Sequence, residues 1–396
     1  MRAKRLVLAG CALALATLAP AGDAPKAAGE KELDDLAAKV VTQSARVQEG
    51  ELVWIVGAPK DAEVLEDLAV QVRKQGAHPL ISVYGDRLAR RLYDDVPAKY
   101  DTQAPEWDLK IAGLMDAEIE IDAGDKAALA GVPAGRLAAH DKTYQPVYAK
   151  MRRRNVRYVL LGNGLYPMPS RAKQFGLTEA ELSKLFWDGV NADYTRLQTT
   201  GRKVKEALAG AKEVRVTNAN GTDVKAGILK RPVMVSDGVI DDEKRKEGGA
   251  ACWTYLPAGE VYVSTAPGTA EGRVVLDRVF YKGKEIDDLV LEVKGGKVVS
   301  LRAKAGDEEL RADFEAAAEG KDRFGVIDVG INADVRPPAG GKALTYMQAG
   351  MISVYVGNDT WAGGDDNTPF SLDGFLPGGT LMVDGKVIVD KGELKP

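Results

Sequence analysis

The pattern of apolar residues changes near residue 205, and this change constrains the fold more than any other feature of the sequence. Before it, short apolar runs of strand length alternate with longer stretches of helical periodicity, which is typical of βαβ units and a parallel sheet. After it, short β-type runs follow one another, separated by turns rich in glycine and asparagine. The sequence therefore predicts an open α/β parallel-sheet domain over residues 22–205, followed by a β-rich domain of mixed α+β type over residues 206–396.

The first half is predicted to open with an amphipathic helix over Lys31–Gln48. A second helix runs from Asp61 to about Lys74, and Thr178 with Glu181 has the capping-box pattern that begins a helix. The predicted strands of this first half are Glu51–Val56, His78–Tyr84, Trp107–Gly113 and Val156–Gly162. In the second half, the predicted strands are Val214–Thr217, Asp223–Ile228, Val261–Ser264, Arg273–Phe280, Asp288–Val293, Lys297–Ala303, Thr380–Val383 and Lys386–Val389.

The amino-terminal residues have the layout of a secretory signal peptide over residues 1–21. Basic residues precede an uncharged apolar run from Leu6 to Ala19, which is too short to span a bilayer. Small residues at Ala19 and Ala21 fit signal-peptidase cleavage. We therefore expect export to a bacterial periplasm or the extracellular space. The alternative is a lipoprotein anchored through Cys11, because the residues before this cysteine resemble a lipoprotein cleavage box.

Composition excludes several classes of function. The net charge is −4 and the pI about 5.6, so a nucleic-acid partner is not expected. The chain has two histidines and two cysteines, which rules out a site built on a cluster of either residue. It contains no phosphate-binding loop and no G-x-S-x-G motif, and no run after the leader is long and apolar enough for a membrane span.

Three segments of the second half place acids and glycines in apolar surroundings. They are Leu256–Tyr262, Phe324–Asn332 and Gly357–Gly374. Glu260 precedes a β run and Asp328 lies within one, and a buried carboxylate must be paired, hydrogen-bonded or bound to a metal. From composition alone, salt bridges for these two carboxylates and a solvated acidic loop are the favoured interpretation.

The order and spacing of these segments resemble the M29 aminopeptidases of the aminopeptidase T type, and more closely their shorter, leucyl-aminopeptidase-like relatives. The resemblance covers nearly the whole chain after the leader. It is carried by Tyr166–Pro169, by the turn Thr217–Asp223 and above all by Leu256–Pro267, which is close to a P-x-G-E-V-x-x-x-P pattern. The resemblance implies a homodimer of two-domain subunits, with a two-metal hydrolytic site in the carboxy-terminal domain.

The resemblance also implies where the metal ligands fall. The family's first glutamate corresponds to Glu260, which is retained, and the second corresponds to Asp328, one methylene shorter. The family's aspartate corresponds to Asp373, in the segment Ser371-Leu372-Asp373.

The remaining family ligands are replaced. The first histidine corresponds to Ser353, the second to Ser371, and the tyrosine to Thr360. An oxygen-only set suits Mn²⁺, Mg²⁺ or Ca²⁺ better than Zn²⁺, because imidazole normally holds zinc in a mixed site. Asp365 or Asp366 of the acidic loop could also take the place of a lost histidine in space.

Three functions follow from this resemblance. The first is metal-dependent hydrolysis of amino-terminal peptide bonds at an oxygen-only site. The second is a catalytically inactive, metal-free aminopeptidase fold that serves as a periplasmic binding or assembly protein, with a peptide or small molecule in the carboxy-terminal cleft. The loss of both histidines favours the second. The third, the ring-cleaving iron dioxygenase branch of the family, normally needs two histidines and a carboxylate, so it is disfavoured.

Overall fold

The computed structural model describes residues 28–317 and 319–395. The predicted signal peptide and Cys11 lie outside these residues. Within the described ranges, no helix has the length and apolar character needed to cross a membrane.

The helices are α1 Ala28–Lys39, α2 Ala62–Lys74, α3 Asp86–Asp94, α4 Glu106–Ile111, α5 Ala134–Arg154, α6 Pro169–Phe175, α7 Glu179–Val190, α8 Tyr194–Leu208, α9 Asp242–Glu247 and α10 Glu308–Ala316. The strands of the first half are β1 Leu52–Gly57, β2 His78–Val83, β3 Ala117–Ile121 and β4 Arg157–Leu161. Those of the second half are β5 Glu213–Thr217, β6 Asp223–Gly227, β7 Val233–Ser236, β8 Trp253–Leu256, β9 Glu260–Ser264, β10 Glu271–Tyr281, β11 Lys284–Lys294, β12 Lys297–Arg302, β13 Phe324–Gly330, β14 Ile352–Gly357, β15 Ser371–Phe375, β16 Thr380–Val383, β17 Lys386–Asp390 and β18 Glu393–Leu394.

The first sheet is parallel, with strand order β2-β1-β3-β4-β8. Helices connect its strands, as the βαβ pattern predicts, and the Thr178–Glu181 capping box at the start of α7 is confirmed. Its last strand, β8, comes from beyond residue 205, so one strand of the second half completes the sheet of the first. The domain boundary near residue 205 stays a prediction.

One predicted strand of this sheet is wrong. Residues 107–111 of this segment belong to helix α4, and Trp107 is 77% exposed. The third strand is instead β3, whose sequence AEIEI carries glutamates at alternate positions. Those charges conceal a buried strand, whereas a short apolar run fits a helical turn equally well.

The second half contains two antiparallel sheets within the described residues. The larger has strand order β12-β11-β10-β6-β5-β16-β17-β18, and the smaller has the order β15-β14-β13-β9-β7. This mixed architecture agrees with the fold class predicted from the sequence.

Helix α8 covers one face of the smaller sheet. At Gly201, a Cβ would lie 2.7 Å from Val235 on β7 and 3.9 Å from Val261 on β9, so the helix backbone lies close to the strands. Because successive strand residues point to opposite faces, Glu260 and its alternate neighbours lie on the other face. That second face carries the residues considered next.

Candidate functional site

Glu260, Asp328 and Ser353 lie on one face of three neighbouring strands of the smaller sheet. Asp328 is opposite Tyr262 on β9 and opposite Ser353 on β14, while Glu260 pairs with Gly330. The two carboxylates are therefore diagonal neighbours. Glu260 is 4% exposed, Asp328 1% and Ser353 is fully buried. Three of the positions carried over from the family thus meet in the protein interior.

Glu260 is held by residues from both halves of the chain. Its Oε2 accepts a hydrogen bond of 3.0 Å from Nδ2 of Asn163, which also donates to the carbonyl of Pro257 at 3.2 Å. Gly259 has φ +132°, and a Cβ there would lie 2.5 Å from the Cβ of Asn332. The backbone immediately before Glu260 therefore requires glycine. Burial raises the pKa of the Glu260 carboxyl to about 8, against the opposing effect of the Asn163 bond.

Among the described residues, Asp328 has no side-chain partner, and only the backbone of Val329 opposes the rise of its pKa. Neither of its carboxylate oxygens has a hydrogen-bond partner, and neither Asp328 nor Glu260 forms an ion pair with any described residue. Burial, and then the nearby Glu260 carboxyl, raise the pKa of Asp328 well above its usual range. Because an isolated buried charge is costly, burial favours the protonated, neutral form of a metal-free Asp328.

Aromatic rings cover the two carboxyls. Tyr262 and Tyr355, on the same sheet face, each pack against Trp361, with ring centroids 4.9 and 4.8 Å apart. Burial beside Asp328 raises the pKa of Tyr355 well above its usual range. The Ser353 hydroxyl is buried without a hydrogen-bond partner. The volume next to the carboxyls is therefore largely taken up by protein.

Asp373 lies apart from this pair. Asp373 is on β15 and pairs with Tyr355 of the neighbouring strand β14. Asp328 is on β13, the next strand again, so the backbones that carry the two aspartates are about 10 Å apart. Oδ2 of Asp373 accepts a hydrogen bond of 2.7 Å from the hydroxyl of Tyr346. The Tyr346 ring stacks on Tyr355 with centroids 5.9 Å apart. Asp373 thus has a protein hydrogen-bond partner of its own and lies on a strand that does not adjoin β13.

The other positions that the family resemblance assigns to metal ligands do not face the carboxyl pair. Ser371 pairs with Gly357, is exposed, and lines a separate cavity of 480 Å³ together with His140. Thr360 donates its hydroxyl proton to Oδ1 of Asn358 at 2.9 Å. Neither side chain is directed at Glu260 or Asp328.

The acidic side chains of residues 359–366 bond within their own loop and to arginines, and not to Glu260 or Asp328. Asp359 is buried. One of its oxygens accepts a hydrogen bond of 2.7 Å from Nε of Arg323, and the other accepts one of 2.8 Å from the backbone N–H of Asp366. Asp365 is exposed and forms an ion pair with Arg231 at 3.3 Å. The salt bridges expected of Glu260 and Asp328 are absent among the described residues, and the acidic loop, expected to be solvated, instead contains the buried ion pair of Asp359 with Arg323. Neither Asp365 nor Asp366 replaces a lost histidine beside Asp328.

The donor set does not fit the two-metal site implied by the family. Within residues 28–317 and 319–395, no three His, Cys, Asp or Glu side chains come close enough to hold an ion. Two buried carboxyls and one hydroxyl remain, and two divalent ions about 3.5–4 Å apart need several anionic or imidazole ligands between them. One Mg²⁺ or Ca²⁺ on these groups would need several further oxygen ligands, such as waters, to complete its coordination.

A cavity of 260 Å³ lies between the parallel sheet and the carboxy-terminal sheets, and neither Glu260 nor Asp328 lines it. Asp122 follows β3 and Asn163 follows β4, so the cavity opens at the carboxyl edge of the parallel sheet, where α/β folds usually bind ligands. Thr345, Tyr346 and Asp373 line its opposite wall. Asn163 therefore connects this cavity with Glu260.

Comparison with known proteins agrees with this architecture. The sequence model of the M29 family, described as thermophilic metalloproteases, matches residues 29–329. The chain belongs to the M29 peptidase family. The match ends before the strands that carry Ser353 and Asp373. No curated protein sequence matches the chain.

Two solved structures share the fold of this M29 protein. Wild-type AmpT from Thermus thermophilus has a TM-score of 0.69 at 17% identity, over 93% of this chain and 100% of that one. The 2,5-dihydroxypyridine dioxygenase of Pseudomonas putida KT2440 has a TM-score of 0.60 at 14% identity, over 94% and 98% of the two chains. At these identities the likeness concerns the fold alone.

Sequence reasoning missed three residues of this region. Asn163 follows a buried strand beside two glycines, which is a signal for the ligand edge of a parallel sheet. Tyr346 and Trp361 gave no signal, because aromatic residues near β runs are usually part of the core. Only the order and register of β13, β14 and β15 show that Asp373 lies two strands from Asp328.

Proposed function

We propose that this M29 protein is a metal-free, catalytically inactive member of its family that is exported and binds a ligand in the cleft beside its carboxy-terminal domain. One observation carries the proposal: Asp373 is hydrogen-bonded to Tyr346 and lies two strands away from Asp328. Hydrolysis with two metals requires these carboxylates around the same ions.

Export rests on the sequence of residues 1–21, and the homodimer on family resemblance. Amino-terminal sequencing of protein secreted from a bacterial host tests the cleavage site, with acylated Cys11 as the alternative. Light scattering of the purified protein tests the dimer.

A metal-dependent hydrolase is the second candidate, and one observation favours it. Both oxygens of Asp328 and the hydroxyl of Ser353 lack partners, as expected for atoms that face a cation. Mn²⁺, Mg²⁺ or Ca²⁺ would suit these oxygen donors. The tyrosine and tryptophan rings that fill the adjoining volume favour the metal-free protein.

An activity assay separates the two candidates. Leucyl, alanyl and lysyl p-nitroanilides are incubated with protein dialysed against Mn²⁺, Co²⁺ or Zn²⁺, beside the Glu260→Gln variant prepared identically. We expect the same residual hydrolysis in both proteins and no effect of EDTA. Turnover that EDTA abolishes and that Glu260→Gln lacks would establish the hydrolase.

A further inference from the structure

The outer edge of the parallel sheet is an apolar strand with one neighbour. β2 pairs on one side with β1, and no strand of residues 28–317 and 319–395 pairs with its other side. Leu80, Ile81, Val83 and the following Tyr84 are between 39% and 50% exposed. Because successive side chains point to opposite faces, the strand is incompletely covered on both faces of the sheet.

This edge also leaves backbone groups available for pairing. The N–H of Tyr84 donates to the carbonyl of Gly57 in β1 at 2.9 Å, and that of His78 donates in the same direction at 2.8 Å. Because successive residues direct their backbone groups to opposite sides of a strand, Ile81 and Val83 direct theirs away from β1. Their two N–H groups and two carbonyls form an open ladder.

β2 lacks the features that usually protect an edge strand from pairing with another chain. It contains no Lys, Arg, Asp or Glu and pairs with β1 without a register shift, whereas charges and bulges normally protect such edges. By contrast β12, at the end of the larger sheet, begins with Lys297 and ends with Arg302. Pro79 cannot donate a hydrogen bond, but the edge from Ile81 onward is open.

We propose that β2 pairs antiparallel with β2 of a second copy of this chain, about a two-fold axis at Ser82. Ile81 then lies opposite Val83 of the second copy, so the four outward backbone groups of each chain are all bonded. Leu80 lies opposite Tyr84 of the second copy. The exposed apolar side chains of the two strands thus cover one another across the axis.

Self-complementarity is the reason to assign a second copy to this edge. In the proposed register, every outward backbone group and every exposed apolar side chain of β2 meets a counterpart on an identical strand. An axis at Ile81 instead places Pro79 opposite Val83 of the second copy, whose carbonyl then lacks a donor. The uncharged strand also brings no like charges opposite one another.

The exposed area sets the strength of this association. The strand ends where helix α3 begins at Asp86, so the ladder is short. With four side chains about half exposed, each copy buries about half of the roughly 800 Å² per partner that a standard interface buries. We therefore expect a reversible association with a Kd of about 10–500 µM.

Sedimentation equilibrium of the purified chain tests the pairing. From about 5 to 500 µM chain, the weight-average mass of the wild type should rise by up to twofold from its low-concentration value. Ile81→Lys should remove this rise, because lysine on an edge strand prevents pairing. Val299→Lys makes the same change at an exposed position of the edge strand β12 and should behave like the wild type.

Two results of this measurement would overturn the proposal. One is a wild-type mass that stays constant over the whole range, and the other is an association that Ile81→Lys leaves intact. A dimer through another surface does not affect the test, because it is read as the difference between wild type and variant. If Ile81→Lys does not fold, Val83→Glu at the neighbouring exposed position provides the same comparison.

A combined variant tests the register. Position 81 lies opposite position 83 of the second copy, so Ile81→Lys and Val83→Glu in one chain place opposite charges face to face twice. This chain should associate about threefold or more tightly than either single variant, since each such cross-strand pair is favourable. A combined variant that associates no more tightly than the single variants would contradict the proposed pairing.

A synthetic peptide of residues 77–85 tests which strand this edge receives. The peptide should inhibit the association of the chains, and a peptide of the same composition in scrambled order should inhibit it about fivefold less, because only the native order opposes the apolar side chains. Equal inhibition by both peptides would indicate an edge that accepts any extended segment, and would overturn the second copy as its occupant. The pairing goes beyond the proposed function and is independent of metal content.

Discussion

The hydroxyl of Tyr346 donates a hydrogen bond of 2.7 Å to Oδ2 of Asp373, the carboxylate that the family resemblance predicted as a metal ligand. The carboxylate therefore has a protein partner where the family resemblance implies a metal. Burial, and then the Asp373 charge, raise the pKa of Tyr346 well above its usual range, so the phenol keeps its proton and remains a donor.

Removing this hydrogen bond should destabilise the protein without creating a metal site. Tyr346→Phe is expected to lower the free energy of unfolding by about 1–2 kcal/mol, because a carboxylate acceptor loses its donor. Urea denaturation checks the value against Tyr100→Phe, whose side chain is exposed and whose change should be within about 0.5 kcal/mol of zero. An unchanged midpoint for Tyr346→Phe would show that the bond contributes nothing in solution.

Replacing the unpartnered carboxyl should be tolerated. Asp328→Asn keeps the shape but removes the ionisable group that burial disfavours, so stability at pH 8 should be unchanged or raised by about 1 kcal/mol. Thermal unfolding with and without EDTA measures this, and EDTA should have no effect on either protein. A strongly destabilised variant, together with a wild type that EDTA also destabilises, would indicate a bound cation.

Glu118 provides a pH test away from the carboxyl pair. Burial, and then Glu120, raise the pKa of this β3 side chain well above its usual range, and its Oε2 has no partner. The folded protein keeps a proton that the unfolded chain releases above about pH 4.3, so stability falls as pH rises from there toward the folded pKa. Glu118→Gln should match the wild type near pH 4 and be the more stable protein at pH 8.

The matched control for Glu118 is Glu66→Gln, on the exposed side of α2. Its difference from the wild type should not grow with pH in urea titrations at pH 4, 6 and 8. A Glu118→Gln advantage that is constant across this range would show that its carboxyl is not protonated in the folded protein.

Gly259 should not tolerate a side chain. An added Cβ would lie 2.5 Å from Asn332, at a φ of +132° that L-residues rarely adopt, so Gly259→Ala should cost about 2–4 kcal/mol. Gly135→Ala in α5 has no atom within 4 Å of the new Cβ and should be neutral or stabilising by up to about 1 kcal/mol. Differential scanning calorimetry distinguishes them, and a mild effect at Gly259 would mean that the backbone before Glu260 relaxes.

The sequence predicted most of the fold because its strands and helices follow their periodicities. It failed at Trp107–Gly113, where an apolar run forms helix α4, and at β3, where Glu118 and Glu120 conceal a buried strand. The site was only partly predictable. Resemblance located Glu260, Asp328 and Asp373 along the chain, but their separation depends on strand order and register, which no local pattern encodes.

Metal content at equilibrium tests the central claim most directly. The mature protein is dialysed in turn against Mn²⁺, Zn²⁺, Mg²⁺ and Ca²⁺, and bound metal is measured by plasma mass spectrometry against the dialysis buffer. Glu260→Gln and Asp328→Asn serve as matched controls. We predict well under one ion per chain under every condition, with no difference between wild type and variants. One or two ions per chain that both variants lose would contradict the account.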